Sequence, residues 1–190
     1  MSALQNAGLF LINTLFDLYL FVLVVRLILA YNRADYFNPL TQVIIKMTQP
    51  IVAPLRRLVP NYRGIEFSTL IWIIVFEMIK FILLGLISVG FPTIMGLIVL
   101  AIGDALKTIL STFFYAIFLQ AILSWFQQAY SPVHQLLNQI TAPIMRPLRR
   151  IVPPISGFDI TPIPALILLQ LLIILLVNPL MRAGATLAFG

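Results

Sequence analysis

The segment Thr48 to Pro60, TQPIVAPLRRLVP, returns 93 residues later as TAPIMRPLRRIVP from Thr141 to Pro153, identical at nine of thirteen positions. A period near 93 is too long for a solenoid unit and too short for a large domain, so the chain reads as two small modules that pair with one another. We divide it into a first half, 1–96, and a second half, 97–190.

Composition sets the solvent in which these halves live. Hydrophobic residues make up 61% of the 190 and charged residues 9%, and the mean hydropathy is +1.05, far from a soluble globular domain. Four apolar stretches, 7–31, 67–90, 106–126 and 160–181, are each long enough to cross a hydrocarbon layer, which takes about 20 helical residues. The first exceeds a signal-peptide core, has no basic segment ahead of it and lacks a small-residue cleavage site, so it reads as a retained span. No cysteine is present, which excludes disulfides and thiolate metal sites, and the single histidine, His134, cannot form a histidine cluster.

Reading the halves against each other organises the rest. With a one-residue slip, Arg26–Tyr31 lies over Gln120–Trp125, which starts the third span near Ala105 and leaves 94–103 as an apolar connector or a helix extension. Between the spans of each half, Leu40, Val43, Ile44 and Met47, and likewise Val133, Leu136, Leu137 and Ile140, recur at helical spacing with polar residues on the other faces. Each set predicts a short amphipathic helix on the membrane surface, started at Pro39 or Pro132 and ended by Pro50 or Pro143. A proline-rich loop then presents Arg56-Arg57 or Arg149-Arg150. Gly64-Ile65-Glu66-Phe67-Ser68 and Gly157-Phe158-Asp159-Ile160-Thr161 follow, with Ser68 and Thr161 as expected N-caps, Pro162 at a first helical position and the carboxylates near the positive helix end.

The doubled P-I-x-x-P-L-R-R-x-V-P segment, followed by G-x-[DE]-x-[ST] and an apolar span, resembles the YggT family, which includes the shorter YlmG-type proteins. The resemblance covers nearly the whole chain in a two-copy arrangement. It implies roles linked in bacteria with osmotic stress, ion homeostasis and envelope or division organisation, and in plastids with cytochrome assembly; it implies no catalytic residues.

The arginine pairs Arg56-Arg57 and Arg149-Arg150 read first as topology determinants, since basic residues accumulate in cytoplasmic loops. They also fit a site for lipid phosphate or a partner carboxylate, or internal ion pairs to Glu66 and Asp159. Within the spans, the first half carries Asp17, Arg26, Glu77 and Lys80, while the second has Gln120 opposite Arg26 and Gln170 opposite Glu77, so the charge is expected to be confined to one half. Depth along the helices pairs Asp17 with Lys80 and allows Arg26 to reach Glu77, a neutral set acting as structural glue or as an ion or proton path. His134 is expected on a solvated face. No phosphate-binding loop, dinucleotide fingerprint, serine elbow or HExxH motif occurs, so no enzyme activity, metal or cofactor is expected. The net charge of +6 is directed at anionic lipid rather than nucleic acid.

The expected architecture is therefore an all-α membrane protein with four spans, built as two parallel tandem repeats about a pseudo-two-fold axis along the membrane normal. It belongs in a bacterial inner membrane, with basic loops 32–66 and 127–159 cytoplasmic and both termini periplasmic. The expected function is a scaffold or assembly factor engaging lipid headgroups, a membrane-protein partner or further copies of itself. The rival is a contribution to ion uptake or osmotic homeostasis.

Overall fold

The computed structural model describes residues 2–62, 64–124, 131–152 and 159–190. Those residues are helical throughout, apart from turns and one isolated bridge between Tyr62 and Ile65. Expectations that fall on Arg63, Trp125, Phe126, Pro153, Gly157 and Phe158 lie outside the described residues.

The first helix, α1 (Ala3–Tyr31), starts in a capping box in which Ser2 and Gln5 satisfy each other's backbone N–H. The amphipathic helix α2 (Pro39–Arg56) follows, then α3 (Phe67–Ser88), α4 (Ile94–Leu123) and α5 (Pro132–Ile151). The last span is α6 (Pro162–Leu172) joined to α7 (Asn178–Phe189) through a π-helical turn, Ile173–Val177. This turn lies just ahead of Pro179, which has no N–H to donate to the preceding turn. Four helical segments, Ala3–Tyr31, Phe67–Ser88, Ile94–Leu123 and Pro162–Phe189, are long and apolar enough to cross a membrane.

Three local expectations change. The amphipathic helices do not end at Pro50 and Pro143: α2 continues through Pro50 and Pro54, and α5 through Pro143 and Pro147, so both arginine pairs sit at helix C-termini rather than in a loop. Prolines spaced four apart fall on one helix face, which confines the missing donors to that face. The Gln139 carbonyl that Pro143 leaves free accepts a hydrogen bond from Asn32 Nδ2 at 2.6 Å. Second, Ser68 is not the cap of α3; Glu66 occupies that position, and Ser68 is buried with its hydroxyl unpartnered. Thr161 holds the cap position of α6, with Pro162 at the first helical position as expected, but its side chain makes no capping bond. Third, the third span does not start near Ala105: of the two alternatives for 94–103 the helix extension holds, and these residues form the first turns of α4, capped by Thr93. Nothing from Ile94 to Leu123 forces a break, and the boundary between 96 and 97 falls in its first turn.

The α1 and α3 helices run antiparallel, since Arg26 meets Glu66 while Asp17 meets Lys80. By contrast α1 and α4 run the same way: Asp17 and Asp104 converge on Lys80, and further along Val25 and Ala116 line one apolar groove. The main core gathers Leu20, Leu23, Val24 and Ile73 from these helices with Val52 of α2 and Ile140 of α5. A second contact clamps α4 to α7. Gly96 lies so close to Ala188 that a Cβ there would overlap its backbone, and Gly184 abuts Leu100, the small-residue contact by which membrane helices approach. Thr93 ties off this end by donating from its hydroxyl to the Leu187 carbonyl at 2.6 Å. The amphipathic helices also meet: Asn38 Nδ2 donates to the Pro132 carbonyl at 2.8 Å, and with the Asn32–Gln139 bond this joins the surface elements of both halves.

Candidate functional site

The charged residues inside the spans collect around Lys80. Its ammonium, 2% exposed, lies 3.0 Å from Asp17, 2.6 Å from Glu77 and 2.5 Å from Asp104. The expected Asp17–Lys80 pair is present. The expected Arg26–Glu77 pair is absent: Arg26 turns to Glu66, where Nε and Nη2 donate to the two carboxylate oxygens at 2.9 and 3.0 Å. Glu66 directly precedes α3 and so lies near the level of Arg26, whereas Glu77 is 11 residues further on, about 16 Å along a helix.

Nor is the charge confined to the first half. Asp104 and Lys107 enter from α4, with Lys107 3.9 Å from Asp104. In the sequence these two residues interrupt an otherwise apolar run from Ile94 to Phe126. The signal available was their i, i+3 spacing, which places them on one helical face.

Three features of this cluster bear on what it can do. Three carboxylates, Asp17, Glu77 and Asp104, face two ammonium groups, Lys80 and Lys107, leaving one excess negative charge when all are ionised. Glu77 is fully buried, and among the described residues the Lys80 ammonium, 2.6 Å from its Oε2, is its one ion-pair partner. The cluster also borders a cavity of about 440 Å³, lined by Asn13, Asp17, Lys80, Asp104, Lys107 and Ser111 among others. Asp17, with a side chain 60% exposed, opens onto it. Among the described residues no three His, Cys, Asp or Glu side chains are placed to hold one metal ion.

A second polar centre joins the loop end of α1 to the start of α3. Arg26 also donates through Nη1 to Thr48 at 2.8 Å and to Gln49 at 3.2 Å, while Thr69 donates to Glu66 at 2.7 Å. Burial by itself pushes the Glu66 carboxyl up, but its hydrogen bonds from Arg26 and Thr69 and the charges of Arg26 and Arg56 outweigh this and hold it below the usual carboxylate range. In the second half Gln120 replaces Arg26 and accepts from Thr141 at 2.7 Å. There Asp159 is paired instead with Arg149, whose Nε and Nη2 both lie 3.0 Å from it. Burial opposes this pair too, and the Thr161 and Arg149 interactions again hold the carboxyl below its ordinary value.

The two arginines of each pair therefore differ. Arg56 and Arg149 approach the acid of their own half, at 3.6 and 3.0 Å. Arg57 and Arg150 are exposed and make no ion pair among the described residues. His134 is half-buried beside a cavity that also meets Arg149 and Asp159, rather than on a fully solvated face.

The sequence model described as CCB3/YggT matches residues 5–87 and 99–180 separately. The chain is 38% identical over 170 residues to an uncharacterised protein from the proC 3′ region of Vibrio alginolyticus, covering 87% of this chain and 91% of that one. It is 36% identical over 185 residues to an uncharacterised Pseudomonas aeruginosa protein, covering 95% and 93%. With uncharacterised YggT of Escherichia coli K12 it shares 35% identity over 170 residues, 88% of each chain. No solved structure matches it.

Proposed function

The chain belongs to the CCB3/YggT family, and from that premise we propose that it is a non-enzymatic, multi-pass protein of the bacterial inner membrane that handles a monovalent cation in ion and osmotic homeostasis. The observation that carries this reading is the cluster around Lys80: charged side chains from both halves, one negative charge in excess, beside a cavity of about 440 Å³. An uncompensated charge within the hydrocarbon layer costs at least about 2.5 kcal/mol. The cluster therefore favours uptake of one positive charge, as a proton or an alkali cation. The exposed Asp17 and the narrowness of a four-helix path favour completion by further copies or a membrane-protein partner. Its basic segments 32–66 and 127–159 lie in the cytoplasm, with both termini periplasmic and the two halves parallel.

Reconstitution of the pure chain in liposomes tests this. Dissipation of an imposed sodium, potassium or proton gradient is expected, with Asp104→Asn lowering the rate about tenfold. Flux at the level of empty vesicles overturns the reading.

The second reading, an organising or assembly factor, draws on the junction of the amphipathic helices. The Asn38–Pro132 bond joins the start of α2 to that of α5, and the Asn32–Gln139 bond ties α5 to the end of α1, giving one surface whose exposed Arg57, Arg146 and Arg150 suit anionic headgroups or an acidic partner.

A further inference from the structure

The first half contains a positively charged cavity that the second half does not reproduce. It encloses about 120 Å³ and is lined by Arg26, Thr41, Gln49, Arg56, Asn61 and Glu66 among others, several times the roughly 10–15 Å³ that admits one water. Two guanidinium groups face one carboxylate there, leaving one positive charge. Arg56 stands 3.6 Å from Glu66, beyond hydrogen-bond range, and keeps its donors for another acceptor. At the wall, Thr41 is 1% exposed and its hydroxyl has no hydrogen-bond partner among the described residues, a buried polar group that a ligand can satisfy.

At the equivalent place in the second half Gln120 stands for Arg26 and His134 for Thr41. The Gln120 amide is occupied by Thr141 and Asn138, and Arg149 is committed to Asp159. The Arg149–Asp159 pair is neutral.

We propose that the Arg26–Thr41–Arg56 cavity binds one phosphate group, supplied either by an acidic phospholipid headgroup or by inorganic phosphate. The guanidinium of Arg56 matches two oxygens of a tetrahedral anion, and the Thr41 hydroxyl with the amides of Gln49 and Asn61 surrounds the remaining ones. The arginine duplication alone does not create the site. It requires Arg26, which only the first half has.

The purified full chain in detergent is titrated calorimetrically with inorganic phosphate and, in parallel, examined by native mass spectrometry with phosphatidic acid, phosphatidylglycerol or phosphatidylcholine. One phosphate-bearing ligand per chain is expected. Binding of acidic lipid without inorganic phosphate assigns the lipid source, and binding of both admits the free anion. Arg56→Gln and Thr41→Val should each weaken binding about tenfold or more, while Arg149→Gln in the second half leaves it within about twofold. Thr41→Val keeps every charge and tests the cavity even if Arg56→Gln fails to fold. Absence of binding by phosphate and by acidic lipid beyond phosphatidylcholine overturns the proposal. So does an equal loss from Arg56→Gln and Arg149→Gln, which would mark diffuse surface attraction.

Discussion

The ammonium of Lys80 has three carboxylates within ion-pair distance, and they do not depend on it equally. Asp17 opens onto a cavity, and Asp104 has Lys107 at 3.9 Å, but Glu77 is fully buried and has no other cation beside it among the described residues. Lys80→Met should thus strand Glu77 above all, at a cost of about 3–5 kcal/mol for a broken buried pair. Adding Glu77→Gln, which keeps the shape and removes the charge, should restore accumulation and melting temperature more than adding Asp17→Asn. The comparison is made on membrane protein level and thermal unfolding in detergent, and greater rescue by Asp17→Asn would show that the exposed carboxylate is the principal partner. Sequence reasoning finds Asp17 because depth along two neighbouring helices is legible from residue count. It cannot rank the carboxylates, because ranking depends on rotation about the helix axis and on a third helix contributed by the other half. The same limit explains Arg26, for which counting allowed Glu77 while the fold offered Glu66 nearer its own level.

At the scale of elements, the spans are legible because apolar length is a property of sequence alone, whereas helix ends are decided partly by neighbours. Pro50 and Pro143 look like terminators when only their missing N–H groups are considered. The Gln139 carbonyl is instead satisfied by Asn32, 107 residues away, which no local pattern announces. The α4–α7 contact is a comparable case: Gly184 and Ala188 stand four apart on one face of α7, but nothing local announces that they meet Leu100 and Gly96 of α4. Gly96→Ala should therefore force the helices apart at about 1–3 kcal/mol, the usual cost of overfilling a packed contact. Gly8→Ala supplies the comparison, because a Cβ there meets nothing within 4 Å, and the better helix propensity of alanine should leave stability unchanged or raised by up to about 1 kcal/mol. Thermal unfolding of the two variants side by side decides the matter. Equal melting temperatures would mean that α4 and α7 slide freely past each other.

For the molecule as a whole, orientation links the charge cluster to the surface helices. Eight of the twelve Lys and Arg residues fall in 32–66 and 127–159, while the turn between α3 and α4, residues 89–93, has none. In the orientation proposed above, this bias puts both amphipathic helices at the cytoplasmic face and the α3–α4 turn at the opposite one. Two spans per half carry the chain back to the same side before the motif repeats, and α1 and α4 run in the same direction, with Asp17 and Asp104 meeting at Lys80. An antiparallel insertion of the halves would place one basic segment outside and separate these carboxylates from their shared ammonium. The chain has no native cysteine, so single replacements report without background. Gln42→Cys and Gln135→Cys, both exposed on the amphipathic helices, should resist an impermeant thiol reagent in intact cells and react after the membrane is opened; Val89→Cys, 69% exposed in the α3–α4 turn, should react in intact cells. Labelling of Gln42→Cys or Gln135→Cys alone before opening would refute parallel halves, and partial labelling at all three sites would reveal two insertion directions. Protection of both cytoplasmic positions with reaction of Val89→Cys places the phosphate cavity at the inner leaflet and the Lys80 cluster deeper, about 20 Å along α3 from its first residue. A cation reaching that cluster from the cytoplasm must then pass the positively charged end of the first half. In that orientation the exposed Arg57 and Arg150, which make no ion pair among the described residues, oppose that approach, whereas toward the other ends of the spans the exposed guanidinium among the described residues is that of Arg182.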